Sequence, residues 1–334
     1  MKDLFIMSAM LRMFAEDTHG FDMNTQTTGT DGLSVEMKTY YSDYLIDNAK
    51  PNLVHDQFGQ KHAIPKNGGK TIEFRKFTPF SKATTPLVEG VTPDGGSLSV
   101  TNLTATVHQY GYYITLSDIL QLTAIDNTLV EATKLLGGQA GSTLDTVTRE
   151  VLNGGTSVMY SGGKEAREDL AEDSKLTVDD IFRAARFLKT QSAPKINGGY
   201  VAIIHPDVAY DLMRNEEWID VHKYSATTEI FEGEIGKIAG VRFVETTEAK
   251  IFAKGAGDKD VYSTLVLGAN AYGVTEVTGG GLQHIVKQLG SGGTADPLNQ
   301  RATAGWKAIK TAERLVENYM IRIESVSTFD SGEN

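Results

Sequence analysis

The sequence predicts an α+β chain in which a long β-hairpin precedes a single long helix and an α/β lobe. Three observations predict it. Residues 65–116 hold two arms of alternating apolar and polar character around a polar tip. Residues 127–152 carry one apolar stripe at helical spacing, and from residue 175 onward apolar strand-like runs alternate with amphipathic helical segments.

The chain opens on a segment without periodicity. Asp22 to Asp31 is rich in Thr, Gly, Asn and Asp, the composition of an arm that a partner must hold in place. From Ser34 to Ala49 the spacing of Val35, Tyr40, Tyr44, Leu45 and Ile46 predicts a helix that ends before Pro51. Leu4 to Leu11 is too short to span a bilayer and lacks a small-residue cleavage site, so it is expected to be an amphipathic turn or an extended tag.

The hairpin follows. Its outgoing arm is Lys70-Thr71-Ile72-Glu73-Phe74-Arg75, and Pro79, Pro86, Pro93 and Gly95-Gly96 punctuate the tip. In the returning arm, Leu98, Val100, Thr104, Thr106, His108, Tyr110, Tyr112, Ile114 and Leu116 share one predicted face. Unbroken, that arm would reach on the order of 60 Å at roughly 3.3 Å per residue, against about 50 Å for a compact globule of this length. Such a ribbon needs a second surface to lie on, and another copy of the chain is the simplest one.

In the helix at Asn127 to Leu152 the stripe runs through Leu129, Ala132, Leu136, Ala140, Leu144, Val147 and Val151, and Gly154-Gly155 ends it. Gly137, Gly138 and Gly141 each cost about 1 kcal/mol against alanine. They therefore mark a bend or the close approach of another backbone. Tyr160 to Ser174 reads as a polar boundary loop. Thr177-Val178-Asp179-Asp180 resembles a capping box ahead of a helix through Ile181, Ala185 and Leu188. Tyr200 to Ile204 is a buried-strand run, and His205-Pro206-Asp207 opens the next helix, with proline at its first position and an acid in its first turn. Further strands are expected at Val241–Glu245, Val261–Leu267, Tyr272–Val277, Gly305–Ile309 and Tyr319–Glu324.

Composition narrows the function. With 334 residues, 40% hydrophobic and 22% charged, the chain can bury one large core or two moderate ones. The absence of cysteine excludes disulfides and thiolate chemistry. A net charge of -11 argues against tight sequence-independent binding to nucleic acid, although an acidic wall can stand beside packaged DNA and keep it mobile. His19, His55, His62, His108, His222 and His284 are scattered, with no metal-ligand spacing. Gly290-Ser291-Gly292-Gly293-Thr294-Ala295 loosely fits a dinucleotide loop, but Asp296-Pro297 follows where a helix should open. The acidic group Glu229, Glu232 and Glu234 lacks the alternating ligands of a calcium loop. No catalytic, cofactor or metal residues are predicted.

Leu33–Lys38, Asn67–Phe74, Ile204–Asp207, Gly233–Lys237 and Asp296–Arg301 with Gly305-Trp306-Lys307 occur in an order that resembles the major capsid proteins of tailed phages with the Johnson, or Hong Kong-type, fold. Within that fold the chain is similar to the capsid family of podophages of the N-four type. The resemblance implies an N-terminal arm at 1–61, an extended loop at 62–116 and a peripheral domain with the spine helix at 117–174 and 296–318. It also implies an axial domain at 175–295 and a return strand with the tail at 319–334. It implies a homo-oligomer of pentamers and hexamers in an icosahedral virion shell around double-stranded DNA, assembled in the host cytoplasm with scaffolding, portal and possible decoration proteins, with no cofactor and no membrane partner. Expected inter-subunit contacts are Tyr40, Tyr41 and Tyr44 at the arm junction, Phe74, Phe77, Phe80 and Leu87 in the loop, and Trp306. The alternatives are an encapsulin-like compartment shell and, more remotely, a nucleotide-binding enzyme using the Gly290 loop.

Overall fold

The computed structural model describes residues 45–49, 52–63, 70–77, 80–87, 89–90, 92, 95–123, 128–219, 234–253, 255, 259–275, 281–292 and 296–334. The chain divides into two compact units. The first comprises Met1–Asn52, Gln109–Gly141 and Leu282–Ala308, and the second comprises Leu53–His108, Ser142–Gly281 and Ile309–Asn334.

In chain order the first strands are β1 (Gln60–His62), β2 (Thr71–Phe77), β3 (Val100–Thr106) and β4 (His108–Ser117), followed by the short helix α1 (Asp118–Thr123). β2 and β3 pair antiparallel from Thr71↔Thr106 to Phe77↔Val100. The returning arm is not one strand. It breaks at Val107, after which β4 joins a different sheet, in the order β12-β13-β4 with β12 (Leu282–Lys287) and β13 (Arg301–Lys310). The break also changes the buried face. Leu103 and Ala105 turn inward in β3, while Thr104 and Thr106 are exposed, whereas in β4 the inward residues are Tyr110, Ile114 and Leu116. The face expected from the sequence therefore holds only in β4. In β3 the opposite side is drawn inward because Ala105 lies across from buried Ile72, and Leu103 from buried Phe74.

Helix α2 (Thr128–Asn153) is 26 residues long. Its glycines serve close approach: a Cβ on Gly137 would stand 2.8 Å from the Leu45 carbonyl oxygen, and one on Gly141 2.5 Å from that of Ala49. The helical residues 45–49 thus lie directly against the glycine face of α2, with Leu45 and Ala49 buried.

The second unit is built on a mixed seven-stranded sheet in the order β5-β15-β10-β6-β8-β7, with β9 on β10. Its strands are β5 (Val158–Tyr160), β6 (Tyr200–Ile204), β7 (Glu234–Ile238), β8 (Val241–Glu245), β9 (Ile251–Phe252), β10 (Val261–Leu267) and β15 (Met320–Val326). β5 runs parallel to β15, and β12 pairs with β13. Helix α3 (Val178–Thr190) starts in a complete capping box, Thr177 accepting from the Asp180 amide while the Asp180 carboxylate accepts from the Thr177 amide. Helix α4 (Pro206–Met213) is capped by His205. Ile181, Leu188, Val208 and Leu212 from these helices pack with Phe243, Tyr262 and Val266 of the sheet in the largest core cluster. A smaller sheet places β11 (Tyr272–Thr275) between β1 and β14 (Ala312–Arg314). After β15 the tail is tied down: Ser327 and Thr328 donate to Asp211, Lys259 pairs with Asp330, and the Ile251 amide donates to the Asn334 side chain.

Candidate assembly surfaces

The hairpin is anchored at its base and open at its tip. Phe74 and Ile72 of β2 pack with Ala105, Leu103, Val107 and Leu315. The Phe74 ring meets His62 edge-on at 4.7 Å. Beyond Phe77 no described residue up to Ser99 is in a strand. There Phe80, Leu87 and Leu98 are 66%, 78% and 60% exposed. A segment whose described residues are all exposed, large apolar side chains among them, has the character of a docking element.

Behind the base lies a buried polar cluster in the second unit. The His55 amide and ring Nδ1 both contact Asp145, at 2.7 Å and 2.6 Å, and the Tyr272 hydroxyl donates to the His55 carbonyl. Lys310 is ion-paired with Asp56, which also accepts from the Thr148 hydroxyl at 2.6 Å. Burial, with the two carboxylates nearby, pushes the Tyr272 phenol well above its ordinary value, so it stays a donor. These contacts fix the turn at 53–59 against α2, β11 and the end of β13, while the buried His55 Nε2 has no hydrogen-bond partner among the described residues. Their chemistry is that of a clamp.

In the first unit Tyr113 and Ile285 are exposed on one face of the β12-β13-β4 sheet. Gly111 and Gly305 sit on facing strands, where a Cβ on Gly111 would stand 2.8 Å from the Trp306 carbonyl and one on Gly305 2.7 Å from the Tyr113 Cβ. The missing side chains leave a groove of about 600 Å³ walled by Tyr113 and Ile285, with Lys287 and Lys307 among its lining residues. On the other side of β13, Trp306 is buried and its indole donates to Gln139 at 2.6 Å.

The expected contact residues thus separate. Phe80 and Leu87 are exposed at the tip. Phe74 and Trp306 are packed inside the subunit, where a large aromatic ring gains more from burial than from waiting for a partner. Phe77 ends β2, and its side chain lies outside the described residues, as do Tyr40, Tyr41 and Tyr44. Sequence reasoning missed Tyr113, Ile285 and Leu135 as exposed apolar groups. The signal available was the pair Gly111 and Gly305, small residues within strands, which mark a place left open. His205 caps α4 by accepting from the Asp207 amide at 3.2 Å, and burial lowers its pKa despite the nearby Asp207. It acts as the helix cap expected from the sequence. The residues after Gly290 show no helix before Asp296 among those described, and no group of three metal-ligating side chains occurs among the described residues.

The phage capsid protein family matches residues 125–294. Among solved structures, the chain is similar to the capsid of Ralstonia phage GP4, with a TM-score of 0.66 at 16% identity over 84% of this chain and 90% of that one. It is also similar to the capsid of Cyanophage P-SCSP1u, with a TM-score of 0.62 at 15% identity over 83% and 89%. For the capsid of Cyanophage Pam1 the TM-score is 0.62 at 14% identity over 85% and 93%. No curated protein matches the sequence. At these identities the structures establish the shared Hong Kong-type fold. The family match spans just over half of the chain, and with it the chain belongs to the phage capsid protein family, as a major capsid protein that forms the head shell of a tailed phage.

Proposed function

We propose that copies of this chain close into an icosahedral head around double-stranded DNA through contacts in which the hairpin tip of each subunit lies on a neighbour. The observation that carries this is the exposure of Phe80, Leu87 and Leu98 on a segment whose described residues are all exposed. In this reading the extended loop is 62–116, the arm 1–61 reaches a second neighbour, and residues 117–174 with 296–318 and residues 175–295 form peripheral and axial parts. The proposed source is a podophage of the N-four type. Scaffolding, portal and decoration proteins would complete the particle, and assembly would take place in the host cytoplasm. The role is mechanical. Each interface of standard size buries about 1,200–2,000 Å², and several per subunit sum by multivalency. The net charge of -11 fits a wall that repels the enclosed polymer and leaves it free to move.

Deleting Thr78 to Gly96 tests the reading. A folded, soluble subunit that no longer closes shells is expected, because β2 and β3 keep their own core. Uniform particles in electron microscopy after that deletion would overturn the hairpin contact. Wild-type particles should protect double-stranded DNA from nuclease. Enclosed enzyme in place of DNA would move the assignment to a compartment shell.

A further inference from the structure

We infer that residues 327–334 form a detachable strap, and that the surface beneath them on α4, β9 and β10 is a recognition site for a short peptide with their order of side chains. The site is seen filled, by the tail of the same chain.

The tail is read residue by residue. Asp207 and Asp211 share one side of α4 and take its hydroxyls. Ser331 donates to Asp207, while Ser327 and Thr328 donate to Asp211, which also accepts from the Thr328 amide at 2.7 Å. The Phe329 ring meets Tyr210 edge-on at 5.2 Å, and Asp330 pairs with Lys259 at 2.9 Å. The Tyr262 ring lies in the core, but its hydroxyl accepts from the Ser331 amide at 3.1 Å and stands 3.1 Å from the Phe329 carbonyl. Gly332 turns at a φ of 85°, a conformation that favours glycine, and its amide donates to Asp260 at 2.7 Å. Asn334 closes the register. Its side chain accepts from the Ile251 amide at 2.9 Å and donates to the Ala249 carbonyl at 3.0 Å, a double contact that an ionised aspartate could not make. A frayed end would show no such register.

Detachment follows from what the tail lacks. The preceding strand β15 is buried throughout, whereas Thr328 to Asn334 are exposed. The large core cluster closes on Val208, Leu212 and Tyr262 without any tail residue. Polar contacts open to water each add little, because water replaces them on release, and they must offset the ordering of the whole segment. The strap therefore opens while the sheet stays folded. Once open, the same carboxylates and the Tyr262 hydroxyl are offered to any peptide that presents the same donors in the same order.

Hydrogen exchange of the full-length chain, read by mass spectrometry, is the first test. Residues 327–334 should be protected about tenfold over the free peptide of that sequence, yet exchange faster than β15. Asp211→Asn with Tyr262→Phe should remove that protection, while the melting temperature and the exchange of β15 stay as in the parent. In a second arm, a chain with 327–334 deleted should remain folded and bind a fluorescein-labelled peptide of 327–334. A peptide carrying Phe329→Ala and Asn334→Ala should bind about tenfold more weakly. The full-length chain should bind either peptide poorly, because its own tail holds the site. Parent tail exchange as fast as that of the free peptide would overturn the strap. Loss of the folded state on deletion, or a lowered melting temperature in the doubly substituted chain, would make the tail an integral part of the fold and overturn its detachment. Equal binding of the parent and altered peptides, or of neither, would overturn the recognition site.

Discussion

Phe74 lies over Gly273 so closely that a Cβ on the glycine would fall 2.4 Å from the Phe74 Cε1. The hairpin is thus riveted to the central strand of the β1-β11-β14 sheet by one ring on one bare backbone position. Phe74→Ala should destabilise the subunit by about 3–5 kcal/mol, as removal of a buried phenylalanine does. Gly273→Ala should also destabilise it, through overlap. Denaturant unfolding measures both. Loss of assembly by Phe74→Ala at unchanged stability would return the ring to an interface role.

The ion pair of Lys310 and Asp56 is buried on both sides. Lys310→Met alone leaves an uncompensated carboxylate and should cost about 3–5 kcal/mol. Adding Asp56→Leu should recover much of that loss, since two apolar groups need no counter-charge. Urea midpoints of the single and double variants decide it. A double variant as unstable as the single would show that the pair does more than neutralise itself.

Neighbouring glycines of α2 should respond in opposite directions. Gly138 has only the Asn52 amide nitrogen at 3.6 Å from a built Cβ, so Gly138→Ala should gain about 1 kcal/mol of helix propensity. Gly141→Ala meets the Ala49 carbonyl at 2.5 Å and the Asn52 Cβ at 2.9 Å, and should lose about 1–3 kcal/mol to overpacking. Equal thermal shifts in the two variants would contradict the close packing of residues 45–49.

His284 in β12, across from Trp306 in β13, has its pKa lowered by burial from 6.5 to about 4. The unfolded chain therefore takes up a proton that the folded chain refuses. Stability should be full above pH 6.5, fall as pH drops toward 4, and level off below. Buried His205, also lowered, adds a loss of the same sign. His284→Gln should reduce the drop in urea midpoint between pH 7.5 and 4.5. An identical drop in the variant would rule out His284 as a source.

Legibility in the sequence followed how strongly one physical signal dominated locally. Val241–Glu245 and Val261–Leu267 are strands with the bounds expected from their sequence. The 26-residue helix departs by one residue at each end, and Thr177 with Asp180 formed the expected box. The strand at Leu282–Lys287 was missed because its alternation is diluted by glutamine, histidine and lysine beside a run of glycines. The inward face of Val100–Thr106 was misjudged because Leu98 and Val100 suggest one side while Leu103, Ala105 and Val107 suggest the other. Only the partners Ile72 and Phe74 decide between them. Likewise Phe80 and Phe74 are equally apolar on paper. A ring next to a bare glycine two hundred residues away is invisible until the chain has folded.

The break at Val107 governs which changes of length the chain can accept. Adding or removing one amino acid between Val100 and Thr106 would present threonines to the Phe74 core and expel Ala105, undoing both sides of the ribbon at once. The described residues between Phe80 and Ser99 lie in no strand and so have no register to keep in step. Insertions such as a peptide tag therefore belong there, while the seven-residue rungs on either side behave as a fixed reading frame in three dimensions.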